Sequence, residues 1–178
     1  MSLRTSDMDC LEYQDRSTRL AKQDFFQTMT RALHTSSFGP RQVFIFIHGY
    51  NTSFEEASFR VAQIAYDMQF DGVPILYSWP SRASTLDYEY DQNSAMQTRP
   101  FLREFIDEVR DRSGAEIIHL IAHSMGNAPL IEVLASLADG AKDKTAADAP
   151  MFNQVIMAAP DIDVDVFRSL ADKIKSVA

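Results

Sequence analysis

The sequence predicts an α/β fold, a three-layer α/β/α sandwich built around a mostly parallel sheet. Short apolar runs rich in β-branched and aromatic residues alternate with longer amphipathic segments along the chain. Strands that alternate with helices in this way form βαβ units, whose strands run parallel. The first run, residues 42–47, is apolar almost throughout, which is typical of a strand buried on both faces.

Four strands and five helical segments are expected in chain order. Ser53, with Glu56 three residues later, is the signature of a capping box at a helix start. Pro100 marks a place where a long helical region can be interrupted. The expected order is helix 17–36, strand 42–47, helix 53–70, strand 73–79, helical region 88–112, strand 116–122, helix 126–138, loop 139–150, strand 154–159, and a last helix starting at Asp163 or Asp165.

The composition is that of an ordinary globular domain. The chain has 178 residues, of which 46% are hydrophobic and 24% charged, so one domain with a real core is expected. A formal net charge of −8 argues against a nucleic-acid partner. No run approaches 18 apolar residues, which predicts no transmembrane segment. The polar N-terminus lacks the apolar core of a signal peptide, so the sequence as given indicates a cytoplasmic protein. Removal of a signal peptide that preceded Met1 is the alternative.

A serine follows the third predicted strand and opens a helix. Ser124 lies in Ala122-His123-Ser124-Met125-Gly126, with a small residue two positions before it and two after it. This pattern lets a strand and a helix approach closely, so that the serine hydroxyl projects from a tight turn. Serine is also a common helix cap, which is the alternative. The position between an apolar strand and an apolar helix favours a catalytic nucleophile.

A second loop follows the first predicted strand. His48, Gly49 and Tyr50 come directly after residues 42–47. Ester cleavage builds negative charge on the carbonyl oxygen, and two fixed N–H groups stabilise it. Gly49 allows the backbone to approach a ligand closely, so we expect the Tyr50 N–H and the Met125 N–H to be the two donors. A plain strand-to-helix turn is the alternative for this loop.

These motifs together resemble the α/β hydrolases. The resemblance is closest to a bacterial family of uncharacterised α/β hydrolases, and it covers about residues 40–170. The segments that carry it are His48-Gly49-Tyr50-Asn51-Thr52-Ser53-Phe54, Ser78-Trp79-Pro80-Ser81, Ala122-His123-Ser124-Met125-Gly126-Asn127 and Ala159-Pro160-Asp161-Ile162-Asp163.

The resemblance implies a serine hydrolase of the esterase or lipase-like kind, with no firm substrate. It also implies that the four strands are strands three to six of that fold, in the spatial order four-three-five-six. Residues 1–39 would then be an N-terminal lead-in with one helix, and residues 40–178 an incomplete hydrolase domain. Asp161 occupies the place where some lipase-like members keep their catalytic acid; a helix cap or a loop contact is the alternative.

A histidine after Ser124, the usual general base, is absent from the sequence. His119 lies five residues before the serine, roughly 16 Å along the strand. His48 belongs to the oxyanion loop, the His123 side chain should point away, and His34 cannot be placed. We therefore expect a piece of a longer protein that ends before its catalytic histidine.

Two interpretations stay open. The first is an ester-cleaving serine hydrolase acting on a small-molecule substrate, and the second is a non-enzymatic binding module with the same fold. No cofactor and no metal are expected, because no His, Asp or Cys cluster has ligand spacing. A homo-oligomer is one way to cover the open edge of strand 154–159, since an exposed flat edge invites pairing.

Overall fold

The predicted element types and their order are confirmed. The computed structural model describes residues 20–35, 39–84, 86–140, 151–175 and 177. The elements are α1 Lys22–Leu33, β1 Gln42–Ile47, α2 Phe54–Asp67, β2 Val73–Tyr77, α3 Tyr88–Gln97, α4 Arg99–Arg112, β3 Ile117–His123, a 3-10 turn Ser124–Gly126, α5 Asn127–Gly140, β4 Gln154–Ala158 and α6 Val164–Ile174. Residues 17–19 and 36 of the predicted first helix and residues 141–150 of the predicted loop lie outside the described residues.

The four strands form one parallel sheet in the order β2-β1-β3-β4. This is the spatial order that the resemblance implied. β1 and β3 are neighbours, with Ile47 opposite Ala122. Because both strands end at the same edge of the sheet, the loops that follow them start side by side. The two loops predicted to carry the chemistry are therefore adjacent by topology.

The core is centred on β1, which is covered on both faces. Residues 43–47 are at most 3% exposed, which explains why this strand is apolar without alternation. Burial of one large aliphatic side chain contributes about 1.5–3 kcal/mol. The residues of α1 that join this core are Phe26, Met29 and Leu33. The division of the chain into a lead-in, residues 1–39, and a hydrolase domain, residues 40–178, stays a prediction.

Local sequence signals explain where α2 begins and where the long helical region is interrupted. The Ser53 hydroxyl accepts from the Glu56 N–H at 3.2 Å, and the Glu56 carboxylate accepts from the Ser53 N–H at 2.8 Å, so the predicted capping box is present. The long helical region breaks at Thr98, which ends α3 and precedes α4. Pro100 then lies in the first turn of α4, where its missing N–H costs nothing.

The second strand is shorter than predicted. β2 ends at Tyr77, whereas the sequence pattern extended the strand to Trp79. Trp79 is 2% exposed, and its ring stacks on His48 with centroids 4.8 Å apart. This contact draws the chain inward after Tyr77 and ends the sheet pairing.

Within the described residues, no helix combines the length and apolar character needed to cross a membrane.

Candidate active site

Ser124 has a backbone conformation that a side-chain-bearing residue rarely adopts. Its φ is 50°, in the left-handed region, and it begins the 3-10 turn between β3 and α5. Such a conformation costs about 1–3 kcal/mol and persists where the surrounding structure imposes it. The Ser124 backbone is therefore strained. Ser124 sits on a sharp strand-to-helix turn, as a nucleophile elbow requires.

Gly126 explains how the turn can be so tight. A Cβ on Gly126 would lie 2.4 Å from the carbonyl oxygen of His48 and 2.8 Å from that of Ile47. Only a hydrogen atom fits there, so the start of α5 can pass directly over the end of β1. Pro129 is the third residue of α5, where its missing N–H has no helical partner to lose.

The loop after β1 packs directly against this turn. A Cβ on Gly49 would lie 2.9 Å from the Cβ of Ser124 and 3.0 Å from both Nδ1 and the carbonyl oxygen of His123. The absence of a side chain at Gly49 therefore brings the His48–Tyr50 backbone against the serine. The structure thus places Gly49, Ser124 and Met125 together, as their positions after neighbouring strands predicted.

Two backbone donors near the serine are unused. Met125 is the second residue of the 3-10 turn, where an N–H group has no intrahelical partner. The Tyr50 N–H donates to no group in the part of the chain that the structure describes. The next N–H, that of Asn51, is bound to the Asp91 carboxylate at 3.2 Å. These two N–H groups are the ones that the sequence predicted for an oxyanion hole, and that role stays a prediction.

Asp91 holds the loop after β1 in place. Its carboxylate is fully buried and accepts from the Asn51 N–H, from the Ser81 hydroxyl at 2.6 Å and from the Arg82 N–H at 2.9 Å. The Ser81 hydroxyl oxygen accepts from the Thr52 N–H at 3.3 Å. Asp91 thus joins α3, the loop after β2 and the oxyanion loop. No sequence pattern indicates this role of Asp91, because its partners are distant along the chain.

His48 has a structural role. It is 1% exposed, and its Nε2 accepts the Trp79 N–H at 3.2 Å while its Nδ1 lies 2.9 Å from the Gly49 carbonyl oxygen. A backbone N–H can only donate, so Nε2 is the acceptor and Nδ1 carries the proton. Burial lowers the pKa of His48 and favours this neutral form. His48 therefore fixes the loop and is committed to partners other than Ser124.

Trp79 and Tyr77 serve packing around the site. The Trp79 indole N–H donates to the His48 carbonyl oxygen at 2.8 Å, which ties the end of β2 to the end of β1. The Tyr77 hydroxyl lies 2.6 Å from the Thr98 hydroxyl, at the break between α3 and α4. Both aromatic residues support the elements around the site.

Asp161 lies beside the turn at Ser124. Its N–H donates to the Ser124 carbonyl oxygen at 3.2 Å, and its exposed carboxylate accepts from the Tyr88 hydroxyl at 2.8 Å. Asp163 caps α6 by accepting from the N–H groups of Asp165 and Val166. Asp163 is thus the helix cap, and the Asp161 carboxylate is left at the site. The Tyr88 bond raises the pKa of the Tyr88 hydroxyl, because Asp161 accepts its proton.

Asn127 joins the turn to the end of β4. It is fully buried, and its side-chain amide donates to the carbonyl oxygen of Ser124 at 2.8 Å and to that of Ala158 at 3.2 Å. The Ser124 carbonyl oxygen therefore accepts from the Asn127 side-chain amide, the Asn127 backbone N–H and the Asp161 N–H. The sequence did not indicate this role of Asn127, because the role depends on hydrogen bonds between segments that only the fold brings together.

A cavity of about 260 Å³ lies between α3 and the start of α5. Four of its lining side chains are polar: Tyr88, Gln92, Asn93 and Asp161. The other four are apolar: Ala95, Met96, Met125 and Ala128. Met125 directly follows Ser124, and the Asp161 N–H donates to the Ser124 carbonyl oxygen. The cavity therefore adjoins the candidate site.

The remaining histidines lie apart from the Ser124 hydroxyl or have other contacts. His119 Nε2 is 3.3 Å from the Gln42 side-chain oxygen, and burial lowers the pKa of His119. The His123 ring lies against Gly49. His34 is exposed at the end of α1. No histidine is hydrogen-bonded to the Ser124 hydroxyl in the described ranges, and these ranges contain no cluster of three or more potential metal ligands.

A parallel sheet with a serine on a tight turn after a central strand, faced by a glycine loop from the neighbouring strand, defines the α/β-hydrolase class. The chain belongs to the family described as "Alpha/beta hydrolase of unknown function (DUF900)", whose model matches residues 22–177. It is also 32% identical over 79 residues to the uncharacterized protein alr1448 of Nostoc sp.. That match covers 44% of this chain and 21% of the relative's length.

Proposed function

We propose that this protein is a serine hydrolase that cleaves carboxylic esters, with Ser124 as its nucleophile. The observation that carries the proposal is the left-handed backbone of Ser124, held between Gly49 and Gly126 beside two unused N–H donors. A strained serine at a strand-to-helix turn is costly for a structural cap. The cost is explained if the serine hydroxyl must face a substrate.

The chemistry follows from this arrangement. The Ser124 oxygen bonds to the ester carbonyl carbon, and the carbonyl π electrons move to oxygen, where the N–H groups of Tyr50 and Met125 stabilise the charge. The carbonyl bond re-forms as the bond to the alcohol oxygen breaks, and the alcohol leaves with the proton taken from serine. Water then attacks the acyl-enzyme in the same way. One such donor can contribute about 2.7–4 kcal/mol to the lowering of the barrier.

A general base must accept the serine proton, and an acid must orient that base. We assign the acid role to Asp161, because its carboxylate is exposed next to Ser124 and is already a hydrogen-bond acceptor for Tyr88. The base is assigned to a histidine outside residues 1–178, because the four histidines of the sequence have the placements described above.

The test uses p-nitrophenyl esters and three proteins: residues 1–178, the chain continued through the next histidine of its reading frame, and the Ser124→Ala variant of the continued chain. Activity is expected from the continued chain alone, because a site without one triad member retains only about 10³–10⁴-fold catalysis over water. Strong Ser124-dependent activity of residues 1–178 would show that the base lies within them, and His34 would then be examined first.

A binding module is the second candidate. The observation that favours it is that, in the described residues, the Ser124 hydroxyl has no base bonded to it. A continued chain that hydrolyses no ester, or a reading frame that stops after Ala178, would favour this alternative. The retained turn would then be architecture, and the cavity beside it a binding site.

A further inference from the structure

We propose that Asn127 is a positioning residue of the site, whose side-chain amide holds the turn at Ser124 and the loop that carries Asp161 in one relative arrangement. This inference rests on the proposed function, since it assigns a part in that reaction to a residue that is itself fully buried. The amide donates to the Ser124 carbonyl oxygen at 2.8 Å and to the Ala158 carbonyl oxygen at 3.2 Å. One side chain therefore bridges the ends of the neighbouring strands β3 and β4.

Both bridged positions have a strained backbone. Ser124 has a φ of 50°, and Ala159, which follows Ala158, has a φ of 42°. The conformation of Ala159 is unfavourable for a second reason, because a residue that precedes a proline, here Pro160, prefers an extended backbone. Such conformations persist only where the surrounding structure imposes them. The amide of Asn127 binds the carbonyl of one strained residue and the carbonyl that precedes the other, so it restrains both.

The bridge also sets the distance between the nucleophile and the proposed acid. Asp161 lies two residues after Ala159, and its N–H donates to the same Ser124 carbonyl oxygen at 3.2 Å. A movement of the turn at Ser124 therefore moves the loop of Asp161. The general base must contact both the serine and the acid, and a misplacement of about 1 Å can cost 10²-fold in rate. Asn127 thus maintains the space that the base must fit.

The side-chain oxygen of Asn127 indicates that stability alone does not explain the residue. This Oδ1 atom is buried and accepts no hydrogen bond from the part of the chain that the structure describes. A buried acceptor without a partner destabilises a fold, and a leucine of similar size would avoid that loss. A leucine could not donate to the two carbonyls, and an ionised aspartate would offer only acceptors. Asparagine therefore suits the bridge better than it suits the core.

The first experiment measures amide hydrogen exchange in residues 1–178 and needs no catalysis. Asn127→Leu removes both amide donors, so the Asp161 N–H should exchange at least about tenfold faster, because its acceptor is no longer held in place. Asn127→Ser keeps one donor that can reach the carbonyl three residues back, so the Asp161 N–H should exchange at an intermediate rate.

Gln42→Met is the matched control. It also replaces an amide, one that donates to the Asp71 carbonyl oxygen at 3.1 Å. Gln42 begins β1 and therefore lies at the opposite edge of the sheet from Ser124. Gln42→Met should leave the exchange rate of the Asp161 N–H unchanged.

An Asp161 N–H that exchanges at the same rate in folded Asn127→Leu and in the unsubstituted chain would overturn the proposal. Folding is checked by thermal unfolding, and the midpoint should change by less than about 5 °C, because loss of the bridge is offset by removal of the unpaired oxygen. If Asn127→Leu does not fold, Asn127→Ser decides, and an unchanged exchange rate in that variant would overturn the proposal.

The second experiment measures hydrolysis of p-nitrophenyl esters by the continued chain. Asn127→Leu should lower kcat and kcat/KM about equally, by about 10²-fold, because it disturbs the reacting geometry and not substrate binding. Gln42→Met should change neither. The losses from Asn127→Leu and Asp161→Asn should combine to at least about tenfold less than their product, because both changes disturb the same arrangement. A residue with a merely structural role would give the full product.

The outcomes separate this inference from the proposed function. Ser124-dependent hydrolysis that Asn127→Leu leaves unchanged, or losses that multiply fully with those of Asp161→Asn, would refute the role of Asn127 alone. If the continued chain hydrolyses no ester, the proposed function fails, and the exchange rate of the Asp161 N–H decides whether Asn127 couples the two loops.

Discussion

Gly49 and Ser124 are in such close contact that a methyl group on Gly49 would lie 2.9 Å from the Cβ of Ser124. The contact joins loops that follow neighbouring strands, because β1 and β3 end at the same edge of the sheet. It places the Tyr50 N–H, which follows Gly49, beside the serine. The close approach of two backbones, and not a side-chain contact, therefore builds the candidate site.

Gly49→Ala should lower activity more than stability. The added methyl meets Ser124 Cβ and two atoms of His123 at 3.0 Å or less, so the loop must move away from the serine. Loss of one oxyanion donor lowers kcat about 10²–10³-fold, and we expect a similar fall in the continued chain. Gly140→Ala is the matched control, because nothing lies within 4 Å of its added methyl. An unchanged kcat for Gly49→Ala would argue against Tyr50 as a donor.

Much of this arrangement could be predicted from local sequence patterns. Apolar periodicity gave the strands and helices, and a small residue on each side of Ser124 indicated the tight turn. Both signals act over a few residues, where sterics and propensity dominate. The neighbouring placement of Gly49 and Ser124 followed once the strand order was assigned by resemblance.

Contacts between distant segments could not be predicted in this way. Asp91 is forty residues from Asn51, and the Tyr88 hydroxyl reaches Asp161 seventy-three residues away. No local pattern distinguishes a buried acceptor from a solvated acid on a helix. The stacking of Trp79 on His48, which ended β2 early, depends likewise on how two loops pack.

Asp91→Ala should reduce the free energy of unfolding by about 3 kcal/mol or more. Three donors, on Asn51, Ser81 and Arg82, would lose their acceptor, and each buried unsatisfied donor costs about 1–3 kcal/mol. The control is Asp87→Ala, which removes a partly exposed ion pair with Arg82 that is worth at most about 1 kcal/mol. Urea unfolding of both variants checks the difference. Equal losses would mean that water replaces the Asp91 carboxylate.

His48 should make the fold sensitive to mild acid. Burial lowers its pKa in the folded chain below the ordinary value of 6.5, so the unfolded chain binds more protons between those two pKa values. Stability is therefore complete above about pH 6.5 and falls as the pH decreases, by up to about 1.4 kcal/mol per unit for one proton. His119 adds a change of the same sign, because burial also lowers its pKa.

The measurement compares urea unfolding at pH 7.5 and pH 5.5. His48→Gln should reduce the pH dependence relative to the unsubstituted chain, whatever its effect on stability at pH 7.5. His34→Gln changes an exposed ring and serves as the control. An identical pH dependence in His48→Gln would show that the folded chain accommodates the protonated ring without cost.

The outer edge of β4 should be paired in solution. β4 bonds to β3 on one side, and no other described strand pairs with it, while the side chain of Ile156 is 42% exposed. An open edge with exposed apolar side chains invites pairing with another strand. We expect either a second copy of the chain, the C-terminal segment or residues 1–16 to cover this edge.

Sedimentation velocity and amide hydrogen exchange separate these alternatives. Self-association that Ile156→Lys abolishes, and that Phe101→Lys on the exposed face of α4 does not, would identify a second copy as the cover. A monomer whose β4 amides are protected from exchange on both sides would indicate that a segment of the same chain covers the edge. If residues 1–16 are that segment, their deletion should make the outer β4 amides exchange rapidly. A monomer with rapidly exchanging outer amides in a well-ordered β4 would contradict the prediction, because the edge would then be stable without any partner.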